Sequence, residues 1–154
     1  MSKEIPASNP LAKVHDLLNE GHTSAAMHII NGSGQHSGAM ENARGVCLLR
    51  MGKAEEARIV FGSLTFPNKS IGISPETPTV YQTNYVTANI LADHTDTGLH
   101  ILSQIQDDQH PAVKKLRSAV AAWKKSLGLH HRLMLLLGVY PNKPIALDFV
   151  PGDF

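Results

Sequence analysis

The chain has 154 residues, a net charge of +1 and a single cysteine. This length indicates one domain, the balanced charge excludes a general electrostatic affinity for nucleic acid or membranes, and one cysteine excludes an intrachain disulfide. The beginning of the chain has no apolar segment of signal-peptide length, and the most apolar run, residues 133–139, is far shorter than the ~20 residues of a membrane span. We therefore expect a cytoplasmic protein that does not bind membranes.

Apolar spacing predicts helices throughout the chain, separated by loops rich in glycine and proline. The first helix is expected to begin at Pro10, where a missing amide hydrogen does no harm, and to end at Gly21. Thr23 or Ser24 is expected to cap the second helix. The leucine-rich residues 129–138 are predicted to form a mostly buried helix. The predicted helices cover approximately residues 10–20, 23–30, 39–51, 54–64, 81–91, 99–105, 111–127 and 129–138.

Two helix–turn–helix patterns recur at a constant spacing. Gly21 and Gly52 lie 31 residues apart, and Ala26 and Ala57 are separated by the same distance. A period of this size is typical of stacked helical hairpins, in which no hairpin buries its apolar face alone. The spacing therefore predicts a helical solenoid.

The segment of residues 42–61 resembles the tetratricopeptide repeat. The residues that carry the resemblance are Gly45 and Leu48 on the first helix, Gly52 in the turn, and Ala57 and Phe61 on the second helix. Glu41 and Arg44 depart from the family pattern, which has a tryptophan and a leucine there. A third unit aligns if its turn is two residues shorter, which places Ala88, Leu91, Gly98 and Leu102 in equivalent positions.

The resemblance implies an all-α fold, a short right-handed solenoid of about three helical hairpins followed by C-terminal capping helices. The expected repeat domain covers residues 10–138. Residues 139–154 contain three prolines and are predicted to form an extended tail.

The resemblance also implies a function, because the concave face of this family holds an extended peptide. The chain is accordingly expected to be a protein–protein interaction module that binds a protein or peptide partner. Among the positions that the resemblance places on the concave face, the partner-binding candidates are His15, Asn42, Arg50, Gln82, Tyr85 and Asn89.

Patterns that would indicate catalysis or metal binding are missing from the sequence. The nine histidines include no HExxH or HxxxH arrangement, and the single cysteine, Cys47, lies between packing positions of a helix. The glycine-rich residues 31–38 lack the GK[ST] sequence of a phosphate-binding loop. We therefore expect no enzymatic activity, no cofactor and no metal.

The segment of residues 111–132 carries six lysines and arginines and no acidic residue. This charge suggests an alternative function, binding of a polyanion or nucleic acid. The lack of neighbouring aromatic residues disfavours single-stranded nucleic acid. The basic patch of this alternative consists of Lys114, Arg117, Lys124, Lys125 and Arg132.

The predicted tail is unusually apolar for an extended segment, with two phenylalanines and three aliphatic residues after Pro144. Such a segment is expected to dock on its own domain or on a neighbouring copy. Docking on a copy gives a second alternative function, a homodimer or larger structural oligomer held by the tail. In either case the tail could fill the peptide-binding face.

Overall fold

The computed structural model describes residues 9–69 and 72–154, which form eight α-helices, a short 3₁₀ turn at Pro67–Lys69 and no strand. The predicted all-α class is confirmed for these residues. No helix within them combines the length and the apolarity needed to cross a membrane. The helices are α1 (Pro10–Asn19), α2 (Thr23–Ser33), α3 (Gly38–Arg50), α4 (Ala54–Thr65), α5 (Thr79–Leu91), α6 (Thr95–Gln104), α7 (Pro111–Ser126) and α8 (Leu129–Leu136).

Side-chain caps mark the beginnings of three helices. Asn9 accepts a hydrogen bond from the Leu11 amide before α1, and Ser37 accepts one from the Met40 amide before α3. At α7 the ring of His110 plays the same part. The prediction that Thr23 or Ser24 caps α2 is wrong: the capping position is His22, which makes no side-chain bond there. The tight turn after α1 places Thr23 and Ser24 inside the first helical turn.

The first six helices form three consecutive hairpins with the same turn. In each turn one residue adopts a left-handed conformation: Gly21 (φ 81°), Gly52 (φ 75°) and Asp93 (φ 62°). The amide of the following residue donates to a carbonyl five positions back, with N–O distances between 2.7 and 2.9 Å. This bond caps the carbonyl end of the helix. The three bonds are His22 to Leu17, Lys53 to Leu48 and His94 to Asn89.

The matching turns place the third hairpin in a register different from the one predicted. Asp93 occupies the position of Gly52, so equivalent residues of α3 and α5 lie 41 positions apart. The prediction that the third turn is two residues shorter is therefore wrong. An aspartate can adopt the left-handed conformation because its short side chain is tolerated there, so no glycine is required.

A close helix crossing within the second hairpin explains its small residues. A β-carbon placed on Gly45 would lie 2.5 Å from the ring of Phe61, which is fully buried. Gly45 therefore allows α3 and α4 to approach closely, as the resemblance implies. In the third hairpin Gly98 has a similar place, where a β-carbon would lie 3.3 Å from the carbonyl oxygen of Val86.

Helix α7 closes the stack by packing against α5 and α6, and its apolar stripe is buried as predicted. The helix that follows it is different, because α8 has no buried residue. The prediction of a mostly buried helix at residues 129–138 is wrong. Within the described residues, only Leu135 of its leucines packs against the core, while Leu129 and Leu136 are more than 80% exposed.

Residues 139–154 contain no helix or strand and lie on their own domain. The indole Nε1 of Trp123, at the end of α7, donates to the carbonyl of Lys143 at 2.8 Å. Ile145 is buried, and Phe149 lies beneath the ammonium group of Lys115, 5.9 Å from its ring centre. The tail thus follows α7 backwards from its C-terminal end before it reaches α5, α3 and α1.

Candidate functional site

The end of the tail lies in a groove formed by the first helices of the three hairpins. We call residues 150–154 the tail segment and define the groove by the residues that contact it. Those residues are His15 on α1, Asn42, Val46 and Arg50 on α3, and Asn84 on α5.

Asn84 binds both backbone groups of one residue of the tail segment. Its Nδ2 donates to the carbonyl of Asp153 at 2.7 Å, and its Oδ1 accepts from the Asp153 amide at 2.9 Å. Asn42 donates to the same carbonyl at 3.2 Å. The Nδ2 of Asn84 also donates to Oδ1 of Asn42 at 2.9 Å, which orients the two amides. This pair therefore recognises the backbone of Asp153, whatever side chain that residue carries.

Arg50 recognises the two preceding residues in the same way. Its Nε donates to the carbonyl of Pro151 at 3.3 Å, and one terminal nitrogen donates to that of Gly152 at 3.1 Å. The other terminal nitrogen donates to the carbonyl of Leu18 at 2.7 Å, at the end of α1. Burial lowers the pKa of the guanidinium, and the neighbouring Cys47 and Asp153 oppose this shift. Arg50 thus joins α1, α3 and the tail segment.

Gly152 is the one position of the tail segment where the groove excludes a side chain. Its φ of 85° lies in the left-handed region, which favours glycine. A β-carbon at this position would also lie 3.0 Å from both methyl groups of Val46. The groove therefore requires both a particular backbone conformation and the absence of a side chain here.

Phe154 contributes the main side-chain contact at the end of the groove. Its ring centre lies 4.6 Å from that of His15, and the guanidinium carbon of Arg50 lies 5.5 Å above it. Contacts of this kind between a cation and an aromatic face are attractive. The end of the groove is consequently suited to an aromatic side chain.

The tail segment does not fill all the space beside it. A hollow of about 530 Å³ lies between the turns after α1 and α3 and the tail, with Leu18, Leu49 and Arg50 in its wall. Val150 and Pro151 border the hollow from the tail side. A longer or bulkier occupant than the tail segment could extend into it.

The structure places the predicted partner-binding residues in two separate environments. His15, Asn42 and Arg50 contact the tail segment. The other three are buried in or beside α5: Gln82 donates to the Thr77 carbonyl, Tyr85 packs edge-on against Phe66, and Asn89 donates to the Tyr85 carbonyl within its own helix. Those three side chains are engaged away from the groove.

Asn84 is the groove residue that the sequence prediction missed. The predicted positions on α5 came from an alignment with a shortened turn, which displaced the register of the helix. With the spacing of 41 residues that the turn at Asp93 gives, Asn42 corresponds to Thr83 and Asn84 corresponds to Ala43, so the corrected register does not by itself identify Asn84. The polar residues 93–97 predict a turn, but they do not show that Asp93 takes the left-handed position of Gly52.

The predicted basic patch is spread over two regions. Near the beginning of α7, Lys114 donates to Gln109 and Arg117 pairs with Asp108 at 2.7 Å. Lys124, Lys125 and Arg132 lie at the other end and line a hollow of about 400 Å³ together with Leu135 and Leu136. Only the second group forms a cluster of cations beside exposed apolar surface.

The single cysteine lies beneath the groove and is fully buried. Burial raises the pKa of the Cys47 thiol to about 11, and the nearby Arg50 and Arg44 oppose this shift. The thiol is therefore protonated at neutral pH and is a poor nucleophile. Among the described residues, no three histidine, cysteine, aspartate or glutamate side chains are grouped so that they could hold a metal ion.

The fold and the groove define a class of protein: an all-helical stack of hairpins that holds an extended segment across the first helix of each hairpin. Comparisons with protein-family models, with curated proteins and with solved structures find no match to the chain.

Proposed function

We propose that the protein is an interaction module whose groove binds an extended peptide of a partner protein, without catalysis. One observation carries the proposal: the groove hydrogen-bonds the carbonyls of three consecutive residues, Pro151, Gly152 and Asp153. Main-chain hydrogen bonds to successive residues are also how a sheet edge holds an extended peptide. The resemblance to tetratricopeptide repeats supports the same function.

The tail segment indicates the chemistry of the peptide that the groove would accept. Its contacts call for a glycine at the position of Gly152 and favour an aromatic residue two positions later. The residue between them is held by its backbone alone. We infer that partner peptides contain a glycine, any residue and an aromatic residue in sequence, with proline acceptable before the glycine.

In this proposal the tail segment and the partner compete for one site. The tethered tail segment acts at an effective concentration on the order of millimolar. A partner must therefore bind the groove more tightly than it would need to if the tail segment were absent. The hollow beside Val150 offers a partner contacts that the tail does not make. A peptide that makes the groove contacts of the tail segment and also fills the hollow could displace the tail segment.

The test is binding of a labelled peptide with the sequence of residues 147–154 to a chain that ends at Phe149. This truncation keeps Trp123 bonded to Lys143 and Ile145 in the core. We expect the peptide to bind the truncated chain and to bind the full chain at least tenfold more weakly, because the tail occupies the groove. Fluorescence anisotropy measures both affinities.

Two matched controls separate groove binding from nonspecific association. Asn84→Ala in the truncated chain should weaken binding about tenfold or more, since it removes two hydrogen bonds to the peptide. Asn31→Ala, an exposed asparagine on α2, should have no effect. A peptide with alanine in place of the glycine should not bind. If a folded truncated chain fails to bind the peptide, the proposal is wrong.

The partner itself can then be sought by affinity capture from a cell lysate. The bait is the chain ending at Phe149, beside its Asn84→Ala variant and the full chain. A protein retained by the truncated chain and lost by the variant would be the partner. Equal retention by the truncated chain and its Asn84→Ala variant would show that the partner does not bind through the groove.

The same samples examine the alternative of a tail-linked oligomer. Exchange of tails between two copies would use the contacts that the tail makes within one copy. A full chain that sedimented as a dimer, together with a truncated chain that sedimented as a monomer, would favour this alternative over peptide binding.

A further inference from the structure

We propose that α8 and the end of α7 form a surface that binds bilayers containing anionic phospholipid. We call it the α8 surface and define it by four leucines and three cations. They are Leu129, Leu133, Leu136 and Leu137, with Lys124, Lys125 and Arg132.

The four leucines form one exposed stripe. They are spaced four, three and one residues apart, which places them on the same face of a helix and its last turn. Their exposed fractions run from 57% at Leu133 to 85% at Leu129, so they protrude from the domain. An apolar face of this kind inserts between lipid headgroups in helices that lie on membranes.

The three cations border the stripe on one side. Arg132 lies one turn before Leu136, and all three cations share the 400 Å³ hollow with Leu135 and Leu136. The chain contains no acidic residue between Asp108 and Asp148. Asp93 and Asp96 line a different hollow, beside Asn142. Lipid phosphates are the complementary groups for cations that surround exposed leucines.

The charge and the shape of the α8 surface favour an anionic bilayer over a second copy of the chain, a nucleic acid or an acidic helix. A two-fold dimer through the four leucines would bury them, but it would offer the three cations no acidic residue of α7 or α8, since neither helix contains one. A nucleic acid would match the cations but leave the leucines in water. An acidic partner helix would need a groove along the whole stripe, whereas Leu129 at its beginning is 85% exposed and projects outwards.

The test is flotation of the full chain with vesicles of phosphatidylcholine alone and of phosphatidylcholine mixed with phosphatidylserine. We expect binding to the mixed vesicles only. Leu129→Gln with Leu136→Gln should weaken it at least tenfold, because both leucines would insert. Lys124→Gln with Lys125→Gln should weaken it by about fivefold per lysine. All four side chains are exposed, so the variants should remain folded.

Matched controls lie outside α7 and α8. Ile59→Gln replaces another exposed apolar residue, and Lys13→Gln with Lys53→Gln removes two exposed cations elsewhere. These changes should leave vesicle binding unaltered. The α8 variants should also keep the affinity of the groove for the tail peptide, measured in the chain ending at Phe149, which separates this proposal from the previous one.

Three results would overturn the proposal. The first is no binding to the mixed vesicles. The second is binding that the leucine variant does not weaken, which would show that the vesicles attract the cations and that the leucines do not insert. The third is a dimer in sedimentation that the leucine variant abolishes, since a second copy would then cover the surface.

Discussion

Asn84 is buried between α5, α3 and the tail, and its one amide group makes three hydrogen bonds. Two of them join the carbonyl and the amide N–H of Asp153, and the third orients Asn42. A buried amide without hydrogen-bond partners destabilises a fold. The tail segment supplies those partners to Asn84; without the tail segment, water would have to supply them. The same groups are then available to any extended backbone that replaces the tail.

We predict that Asn84 and the tail segment are energetically coupled. Asn84→Ala should lower the free energy of unfolding of the full chain by about 2 kcal/mol. In the chain ending at Phe149 the loss should be smaller by about 1 kcal/mol, because the two bonds to Asp153 are already gone. Chemical denaturation of the four proteins measures the coupling.

Gln82 provides the control for this cycle. It is a buried amide on the same helix, but it donates to the Thr77 carbonyl and does not contact the tail. Gln82→Ala should cause the same loss with or without residues 150–154. An Asn84 effect that is independent of the tail would contradict the coupling.

Cys47 should make stability depend on pH in the alkaline range. Its pKa is raised from 9.0 to about 11 in the folded chain, so the unfolded chain loses the proton first. The thiol therefore contributes stability that is present below pH 9 and is lost as pH rises towards 11. Two pKa units correspond to about 3 kcal/mol.

Cys47→Ala isolates this contribution from that of other ionising groups. The free energy of unfolding, measured in urea between pH 7 and 11, should fall less steeply for the variant than for the wild type. The smaller alanine side chain adds a constant loss at every pH. Parallel curves would show that the thiol ionises equally in the folded and unfolded chains.

At the scale of elements, the repeated left-handed turn defines the hairpins. Two of the three turns use glycine, and the third uses Asp93 with a φ of 62°. A non-glycine residue in this conformation is strained by about 1–2 kcal/mol, less for aspartate than for most residues. The backbone hydrogen bonds that close the third turn hold Asp93 in this strained conformation.

Exchanging the turn residues should change stability in opposite directions. Asp93→Gly should raise the free energy of unfolding by up to about 1 kcal/mol, since relief of strain outweighs the added freedom of the unfolded chain. Gly52→Asp, at the matching position, should lower it by a similar amount. Thermal and chemical denaturation measure both. A loss of stability in Asp93→Gly would indicate that the aspartate side chain supports the turn.

The predictability of each element follows from the kind of signal that it carries. Long apolar stripes such as that of α7 were predicted correctly, because burial on one face leaves a regular pattern in the sequence. The register of the third hairpin was predicted wrongly because an aspartate, unlike a glycine, does not indicate a left-handed turn. The burial of α8 was mispredicted because an apolar run does not reveal whether another element covers it.

The candidate site was only partly predictable for the same reason. His15, Asn42 and Arg50 follow from hairpins whose turn glycines fix the register. Asn84 has no groove-contacting equivalent in the second hairpin, because a spacing of 41 residues aligns it with the buried Ala43. That the tail occupies the groove depends on contacts between residues more than 60 positions apart, which no local pattern encodes.

At the scale of the whole molecule, the tail connects the closing helix to the groove in two parts. The first part is anchored by the bond from Trp123 to Lys143 and by the buried side chain of Ile145. The second part is the tail segment, held mainly by hydrogen bonds to its backbone. A function that requires exchange of the tail needs only the second part to leave.

We therefore predict that the two parts detach independently, with Trp123 as the reporter. It is the only tryptophan in the chain, and it is buried. Gly152→Ala should release the tail segment, because the new β-carbon would meet Val46, and should leave the emission maximum of Trp123 unchanged. Deletion after Tyr140 should shift that emission to longer wavelength by exposing the indole.

Limited proteolysis completes the comparison. In Gly152→Ala, cleavage after Phe149 by chymotrypsin should be faster than in wild type, because release of residues 150–154 exposes that bond. If Gly152→Ala shifts the tryptophan emission as far as the deletion does, the tail leaves as one unit. Release would then uncover Ile145 and part of the core, and a competing peptide would have to offset that exposure as well. Unchanged emission with faster cleavage would instead mean that a partner can take the groove while the domain stays closed.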